Sequence, residues 1–373
     1  MSRTIAISIN AAWNILNFRL GLIRALQQRG WRVVALTPTD EYSARLAEHE
    51  IEHLTIAIDS SSVSPLRDLR LFMRYHGLLK QLRPDALLTY TAKPNIWGSL
   101  AANALAIPVI NNISGLGTAF IEGQALRRIV SILYRAALRP SAAVFFQNPE
   151  DRELFRRRRL APSERAHLLP GSGIDLDRFR PAEPPPGEPF AFLMIGRLLW
   201  HKGVGEYVEA ARIVRRQAPK VRFRLLGFLD APNRSAVPRG ALEAWVAEGL
   251  IDYLGATDDV RPHIAAAHCL VLPSYREGLP RSLLEGAAMA RPLIATDVPG
   301  CRHVVEDGAN GYLCTVRDPA ALAEAMLKMI GLPGPVRAAM GANARATVER
   351  RFSERAAVDP YLEVLDAIFA RRS

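Results

Sequence analysis

Short apolar runs that read as buried strands alternate with helical patterns along the whole 373-residue chain. Such alternation predicts an α/β fold with a doubly wound parallel sheet, because parallel strands need a crossover, usually a helix, between them. The predicted strands are 4–9, 31–36, 86–89, 109–111, 143–146, 192–195, 223–227, 253–255, 269–273 and 293–295. The clearest helical patterns are 18–28, 95–105 and 206–216.

A proline-rich connection at residues 181–189 separates the alternation into two halves. A segment of this composition is a stiff spacer. With 373 residues and 49% hydrophobic content, the chain can bury two ordinary cores. We therefore predict two Rossmann-like domains, at residues 1–183 and 190–353.

Two glutamates eight residues apart, Glu277 and Glu285, give the most informative functional signal. The first lies in a loop before a helix and the second about one turn inside it, so both carboxylates can face one pocket and accept sugar hydroxyls. Pro280 near the first helical turn leaves the next amides free to bind a phosphate. Those amides belong to Arg281, Ser282 and Leu283. Because glutamate is common in helices, the spacing alone also fits a solvated surface helix.

A second segment favours a ligand site over a solvated surface. The apolar run 192–195 leads directly into Gly196 and Arg197, and Lys202 follows five residues later. In open α/β sheets, ligands bind at the carboxyl ends of strands. An arginine offers a planar fork and a lysine a mobile point charge, which together suit a diphosphate and stabilise it as a leaving group without a metal. Together with the glutamates, these cations predict a sugar-nucleotide site.

The order and spacing of these segments resemble the retaining glycosyltransferases of family four. The resemblance rests on residues 196–203, 273–285, 299–300 and 307–313. It implies the GT-B fold, in which two Rossmann-like domains flank an interdomain cleft. The first domain would bind the acceptor and the second the sugar nucleotide, while the last helix, 354–373, would pack back on the first domain.

The amino-terminal half resembles a narrower branch, the bacterial transferases that extend undecaprenyl-diphosphate-linked glycans, including an N-acetylgalactosaminyltransferase. This resemblance rests on residues 10–19, 91–98, 112–117 and 169–175. It implies transfer of a hexose or N-acetylhexosamine from a nucleotide sugar, UDP-linked by resemblance, to a polyprenyl-diphosphate-linked saccharide. The chain departs from the family in two respects. Residues 113–122 contain no histidine, and the glycine-rich turn after the first strand is replaced by Ala11, Ala12 and Trp13.

The resemblance also implies a role for individual residues. Glu277 would face an oxocarbenium-like transition state, while Arg197 and Lys202 would neutralise the departing diphosphate. Glu285 would accept the ribose hydroxyls. Further donor contacts would come from Gly196, Leu254, Gly278, Leu279, Pro280, Arg281, Ser282 and Leu283. Candidate acceptor contacts are Arg19, Lys93, Asn112 and Gly115. No metal or other cofactor is expected, because Arg197 and Lys202 would neutralise the diphosphate. No separate general base is expected either, because the departing phosphate itself would take the proton of the acceptor.

The net charge of +11 is unevenly distributed, since residues 1–183 hold 24 Lys and Arg against 16 Asp and Glu. Residues 66–83 read as an amphipathic basic helix, which fits either an anionic lipid surface or a sheet-covering helix with a solvated face. Residues 127–139 pose the same alternative. Nucleic-acid binding is disfavoured, because the densest basic run, 156–159, lies in no nucleic-acid-binding motif.

The sequence shows no pattern of a membrane span or of a signal peptide. No run approaches the roughly 18 apolar residues of a membrane span, and the first ten residues are too polar for a signal peptide. We therefore expect a cytoplasmic protein that lies peripherally on the inner face of the cytoplasmic membrane. Two other functions remain open: a sugar-nucleotide epimerase or hydrolase of the same fold, and a non-catalytic, membrane-associated scaffold.

Overall fold

The computed structural model describes residues 3–59, 64–115, 124–185, 189–229 and 235–370. The chain divides into two compact units, residues 1–173 with 354–373 and residues 174–353. Two segments used in the sequence analysis lie partly outside the described residues. These are the motif at 112–117, beyond Gly115, and the proline-rich connection at 186–188.

The first unit is built on one parallel sheet. Its strands are β1 (Thr4–Ser8), β2 (Arg32–Thr37), β3 (Glu52–Thr55), β4 (Ala86–Tyr90), β5 (Val109–Ile113), β6 (Ala143–Phe146) and β7 (Ala166–Leu168), in the spatial order β3-β2-β1-β4-β5-β6-β7. Its helices are α1 (Ala12–Phe18), α2 (Leu20–Gln28), α3 (Pro65–Leu82), α4 (Ser99–Ala104), α5 (Gln124–Leu138), α6 (Pro149–Arg157) and the terminal helix α13 (Glu354–Ala370). One π-helical turn, Pro94–Gly98, precedes α4.

The core of the first unit forms because the strands are apolar on both faces and helices cover each face. The terminal helix α13 packs against α2 and contributes Tyr361, Leu365 and Phe369 to the same apolar cluster as β1 and β4. The ring of Phe369 meets Trp31 edge to face, with 5.2 Å between centroids. The last helix thus belongs to the first unit by packing.

The second unit contains a parallel sheet of six strands in the described residues. These are β8 (Ala191–Ile195), β9 (Arg222–Leu226), β10 (Asp252–Tyr253), β11 (Cys269–Leu272), β12 (Leu293–Thr296) and β13 (Gly311–Cys314), in the spatial order β10-β9-β8-β11-β12-β13. Its helices are α7 (Val204–Gln217), α8 (Arg239–Ala247), α9 (Arg261–Ala265), α10 (Arg281–Ala288), α11 (Pro319–Gly331) and α12 (Gly334–Arg351). Both units therefore have the predicted doubly wound α/β architecture.

The structure places the boundary between the units earlier than the predicted residue 183. Residues 174–183 belong to the second unit. Ile174 donates its backbone N–H to the carbonyl of Phe352 at 2.9 Å, and the Phe179 side chain is buried in the apolar cluster of the second unit. The proline-rich composition marked a stiff segment, but these apolar contacts decide to which unit the preceding residues belong.

Three strands were not predicted: β3, β7 and β13. Each lies at the edge of its sheet. The sequence of β3, Glu-His-Leu-Thr, is half exposed, because an edge strand buries less of its surface than a central one. The predicted helix 18–28 is also interrupted, since α1 ends at Phe18 and α2 starts at Leu20.

Candidate active site

Three loops meet at the carboxyl edge of the second sheet, residues 196–203, 273–280 and 297–300. They follow β8, β11 and β12, which are neighbours in the sheet, so their carboxyl ends lie side by side. The backbone N–H of Tyr275 donates to the carbonyl of His201 at 3.0 Å, and that of Glu277 donates to Pro299 at 3.3 Å. We refer to these residues as the three-loop site. Its position at the carboxyl edge is where ligands bind in open α/β sheets.

Two glycines make the close approach of these loops possible. Gly203 has φ +79°, and a Cβ on it would lie 2.1 Å from the carbonyl oxygen of Pro273. Gly300 has φ +87°, and its Cβ would lie 2.7 Å from the carbonyl oxygen of Gly278. A side chain at either position would collide with backbone, so both positions require glycine.

The ion pair between Lys202 and Glu277 lies at the centre of the three-loop site. The Lys202 Nζ donates to Glu277 Oε1 at 2.5 Å, and the two side chains are 20% and 11% exposed. The sequence analysis assigned the two residues to separate groups of the donor, and the structure brings them into direct contact. The Lys202 ammonium group can exchange partners, because an incoming anion competes with the Glu277 carboxylate for it.

Arg197 and His201 flank this ion pair. Arg197 is exposed at the end of β8, beside Gly196, where no described atom lies within 4 Å of the position that a Cβ would take. His201 is half-buried, and its Nδ1 lies 2.9 Å from the hydroxyl of Ser235. Burial lowers the pKa of His201 below its ordinary value of 6.5, and the charges of Lys202 and Arg197 lower it further, against the opposing effect of Glu277.

The lowered pKa of His201 predicts a pH dependence of stability. The folded chain binds fewer protons at this ring than the unfolded chain. The neutral His201 ring therefore supports the full unfolding free energy above its ordinary pKa, and this support is lost as pH falls below that value. We expect the unfolding free energy to fall less between about pH 7.5 and about pH 5 in His201→Gln than in the wild type. Urea titrations at both pH values measure this difference.

The control for this pH prediction is His263→Gln, which removes a half-buried histidine of the second unit outside the three-loop site. Equal pH dependence in the wild type and His201→Gln would show that burial of this ring does not affect its proton affinity.

Glu285 lies about one turn from the amino terminus of α10. No side chain in the described residues caps α10, so the first-turn amides of Ser282 and Leu283 are available to an anion. Arg281 Nε donates to Glu285 Oε1 at 3.0 Å, one turn apart. Burial raises the pKa of Glu285, and the neighbouring Arg281 opposes that shift. A buried carboxylate held by one arginine is suited to accept hydroxyl hydrogen bonds.

The remaining predicted donor residues lie on connections around the same edge. Leu279 and Pro280 continue the loop from Glu277 into α10. Leu254 follows the short edge strand β10, and its N–H is already used in a hydrogen bond to the Leu225 carbonyl at 2.9 Å. Any contact of Leu254 with the nucleotide base of the donor would therefore use its carbonyl or side chain.

Sequence reasoning missed the residues that support the three-loop site. The hydroxyl of Tyr275 donates to Glu206 Oε1 at 2.6 Å, which ties the loop after β11 to α7. Burial, reinforced by the hydrogen bond to Glu206, raises the pKa of Tyr275 to about 12, so the phenol stays protonated. Ser235 supports His201 in the same way. These partners are 69 and 34 residues apart along the chain, and no local pattern marks such pairs.

The predicted acceptor residues lie in the first unit and have different partners. Lys93 Nζ donates to Asp68 Oδ1 at 2.7 Å, so its charge is neutralised by α3. Gly115, with φ +142°, ends the described segment after β5. Arg19 and Asn112 are both buried and meet around Tyr90 and Tyr361. The structure thus groups two of the four candidates.

Two further observations concern metal binding and membrane-spanning helices in the described residues. Histidine, cysteine, aspartate and glutamate side chains form no group of three or more that could hold a metal ion there. None of the helices described is both long enough and apolar enough to cross a membrane.

Comparison with known families decides the class of protein. The family "Glycosyl transferases group 1" matches residues 189–331, and the family "Glycosyl transferase 4-like domain" matches residues 17–171. The chain belongs to the glycosyltransferases. This confirms the family predicted from the motifs at 196–203 and 273–285, which lie within the first of these matches.

Two relatives of this glycosyltransferase align over most of their length. The chain is 28% identical to the N,N'-diacetylbacillosaminyl-diphospho-undecaprenol alpha-1,3-N-acetylgalactosaminyltransferase of Campylobacter jejuni, over 84% of this chain and 86% of that protein. It is 22% identical to the UDP-Gal:alpha-D-GlcNAc-diphosphoundecaprenol alpha-1,3-galactosyltransferase of Escherichia coli, over 83% and 85%.

A solved structure shows the same fold. HepE of Anabaena in complex with UDP-glucose superimposes with a TM-score of 0.79 at 18% identity, covering 98% of this glycosyltransferase and 99% of HepE. With the two parallel sheets, this likeness confirms the predicted GT-B fold class.

Proposed function

We propose that this glycosyltransferase moves a hexose or N-acetylhexosamine from a UDP-sugar to a polyprenyl-diphosphate-linked saccharide in cell-surface glycan biosynthesis, with retention of configuration. The observation that carries the proposal is the Lys202–Glu277 ion pair, set beside the exposed Arg197 and the uncapped end of α10. Both relatives are named for a diphospho-undecaprenol acceptor, and one is named for UDP-Gal. An epimerase or hydrolase finds no comparable support.

In the proposed reaction, the diphosphate of the donor binds between Arg197, Lys202 and the first-turn amides of α10. The arginine fork and the ammonium group stabilise the negative charge that develops as the bond from the sugar C1 to phosphate breaks. Binding of the diphosphate draws Lys202 away from Glu277. The carboxylate of Glu277 is thereby released to hold hexose hydroxyls and to face the positive charge that develops on the sugar ring.

The other donor contacts position the leaving group. The buried carboxylate of Glu285, held by Arg281 at 3.0 Å, accepts hydrogen bonds from the ribose hydroxyls. The backbone of Gly278 and Leu279 approaches the hexose, and the segment at Leu254 approaches the base. These contacts restrict the motion of the donor, which lowers the entropic part of the barrier.

Retention follows if the acceptor enters on the face that the diphosphate leaves. The acceptor hydroxyl then forms the new bond to the sugar C1, and its proton passes to the departing phosphate oxygen, so UDP and the extended saccharide are the products. Both relatives are named for alpha linkages. No residue of this chain is needed as a general base in this scheme.

The first unit carries a surface suited to the membrane that holds such an acceptor. The helices α3 and α5 both pack against α4 and the turn Pro94–Gly98. Both also expose large apolar side chains. These are Leu66, Leu69 and Met73 on α3, and Ile129 and Ile132 on α5. Arg67, Arg70 and Arg74 are exposed on the same helix α3. Apolar side chains flanked by arginines bind anionic bilayers by combined insertion and charge attraction.

Removal of the apolar side chains predicts weaker membrane binding. Leu69 and Met73 are 56% and 60% exposed, and their insertion would contribute about 2 kcal/mol after allowance for partial burial. We therefore expect the variant Leu69→Ser with Met73→Ser to bind vesicles containing phosphatidylglycerol roughly thirtyfold more weakly than the wild type. Co-sedimentation over a range of lipid concentrations measures the effect.

The matched control for membrane binding is Val246→Ser with Val336→Ser, which removes two exposed apolar side chains of the second unit. If both double variants bind vesicles as the wild type does, the exposed side chains of α3 do not insert into lipid.

The proposed activity is tested with a panel of UDP-, GDP- and dTDP-sugars, each incubated with the purified protein and a polyprenyl-diphosphate-linked saccharide. We expect acceptor-dependent consumption of a UDP-sugar, with the anomeric configuration of the product read by NMR. Consumption without acceptor would indicate a hydrolase, and interconversion of sugars an epimerase. A protein that binds and consumes no donor would be a scaffold.

A further inference from the structure

Arg19 is a buried cation without a counter-charge. The residue is 6% exposed, and its Nε has no hydrogen-bond partner among the residues that the structure describes. It forms no ion pair with a carboxylate of the described ranges. Burying a charge is unfavourable unless an opposite charge or hydrogen bonds compensate for the lost hydration. The surroundings of Arg19 therefore lack the partner that a structural arginine has.

A second buried arginine in the same chain shows what structural burial looks like. The Arg291 side chain is 1% exposed in the second unit. Its three guanidinium nitrogens donate to four backbone carbonyls at 2.8 to 3.1 Å. These acceptors are Ala182, Glu183, Ile264 and Ala265. Arg19 has no such acceptors, so its burial does not complete a backbone network.

The groups around Arg19 are neutral and include several hydrogen-bond donors, along with the Asn112 Oδ1, which has no hydrogen-bond partner in the described residues. Its guanidinium carbon lies 4.0 Å from the ring centroid of Tyr90, and the Tyr90 and Tyr361 rings lie 6.5 Å apart. Asn112 Nδ2 donates to the Tyr361 hydroxyl oxygen at 2.6 Å, which leaves the proton of that hydroxyl for another acceptor. Burial raises the pKa of both phenols, so they remain protonated at neutral pH. A cation surrounded by donors is complementary to an oxyanion.

The position of this cluster in the fold also favours a ligand. Tyr90 is the last residue of β4, and Asn112 is next to the last in β5. Both therefore lie at the carboxyl edge of the first sheet. The strand order reverses between β1 and β4, and in open α/β sheets ligands bind at that point.

The geometry points to an oxyanion-binding site in the first unit, formed by the guanidinium of Arg19 and the hydroxyls of Tyr90 and Tyr361. The inference rests on the proposed function for the identity of the ligand, which is the diphosphate of the polyprenyl-linked acceptor. The planar arginine fork matches two phosphate oxygens, and the phenols donate to a third. Arg19 then recognises the lipid-linked form of the saccharide and not the sugar alone.

The first arm of the test is binding of inorganic diphosphate, measured by isothermal titration calorimetry. It uses the Arg197→Gln/Lys202→Gln/Glu277→Gln background, so that the cations proposed to hold the donor diphosphate in the second unit do not contribute. We expect Arg19→Gln to weaken binding by about tenfold or more, and Arg19→Lys to weaken it less, because a lysine keeps the charge but loses the fork. Arg24→Gln, an exposed arginine on α2, is the matched control and should bind normally.

The second arm is kinetic and uses the otherwise unaltered chain. One acceptor is the polyprenyl-diphosphate-linked saccharide, and the other is the same saccharide on an uncharged alkyl chain. We expect Arg19→Gln to raise KM for the first acceptor by about tenfold or more, while KM for the alkyl acceptor and for the donor stays as in the wild type.

Three results would overturn the inference. Equal effects of Arg19→Gln on both acceptors would show that Arg19 only packs against Tyr90. A raised KM for the donor would show that the anion is the donor diphosphate. Unchanged binding of inorganic diphosphate would exclude an oxyanion site. If the wild-type chain transferred to neither acceptor, the proposed function would fail, and the calorimetry alone would uphold or overturn the oxyanion site.

Discussion

Replacement of Lys202 by glutamine should lower kcat for sugar transfer by about a hundredfold to a thousandfold. The substitution removes the ammonium group proposed to neutralise the departing diphosphate, at a step where no metal would replace it. The assay is initial-rate transfer from the preferred UDP-sugar at saturating acceptor. Lys220→Gln removes an exposed lysine of the same unit and should leave kcat unchanged.

A loss of fold could mimic the loss of chemistry, because Lys202→Gln leaves the mostly buried Glu277 without its lysine. We expect the single variant to lose about 1 to 3 kcal/mol of unfolding free energy, since the pair is partly exposed. The double variant Lys202→Gln/Glu277→Gln should recover most of this stability and remain inactive. A double variant that transfers sugar at the wild-type rate would contradict the roles assigned to both residues.

Gly203→Ala should destabilise the second unit by about 2 to 5 kcal/mol, from the positive φ and the steric overlap together. The new Cβ would lie 2.1 Å from the carbonyl oxygen of Pro273, a backbone atom that cannot rotate away. The loop after β8 would have to move away from the loop after β11. This movement would separate Lys202 from Glu277. Transfer activity should therefore fall along with stability.

The stability effect is measured by urea unfolding followed by far-UV circular dichroism. Gly240→Ala on α8 is the control, since nothing described lies within 4 Å of its new Cβ. It should be neutral or slightly stabilising, by less than about 1 kcal/mol. A Gly203→Ala protein as stable as the wild type would mean that the loops do not approach each other as closely as the structure shows.

The parts of the fold that local patterns predicted are the central strands and the long helices. Central parallel strands are buried on both faces, so their sequences are continuous apolar runs, as in β6 and β8. The terminal helix α13, Glu354–Ala370, begins at the residue predicted for the last helix and follows the predicted range 354–373 as far as the structure describes it. The edge strands β3 and β7 were missed because solvent contact relaxes the demand for apolar residues, whereas β13 is mostly buried.

The features of the candidate site also divide into those that local sequence predicted and those that depend on the folded chain. The motifs around Arg197 and Glu277 could be recognised because they are contiguous in sequence, and the family match confirmed them as those of a glycosyltransferase. The contact between Lys202 and Glu277 joins residues 75 apart and depends on the order β8-β11-β12 in the sheet. The specific roles proposed for these residues stay predictions until the variants are measured.

Apolar periodicity and the proline-rich connection were thus sufficient for the α/β class and the number of domains. The family was recognised because contiguous motifs resemble those of known glycosyltransferases. The partners of charged groups required the folded chain. Lys93 turned out to be paired with Asp68, while Arg19, at the break between α1 and α2, is buried with no carboxylate beside it in the residues described. The physical reason is that burial and Coulomb interaction depend on distance through space, and distance along the chain says little about either.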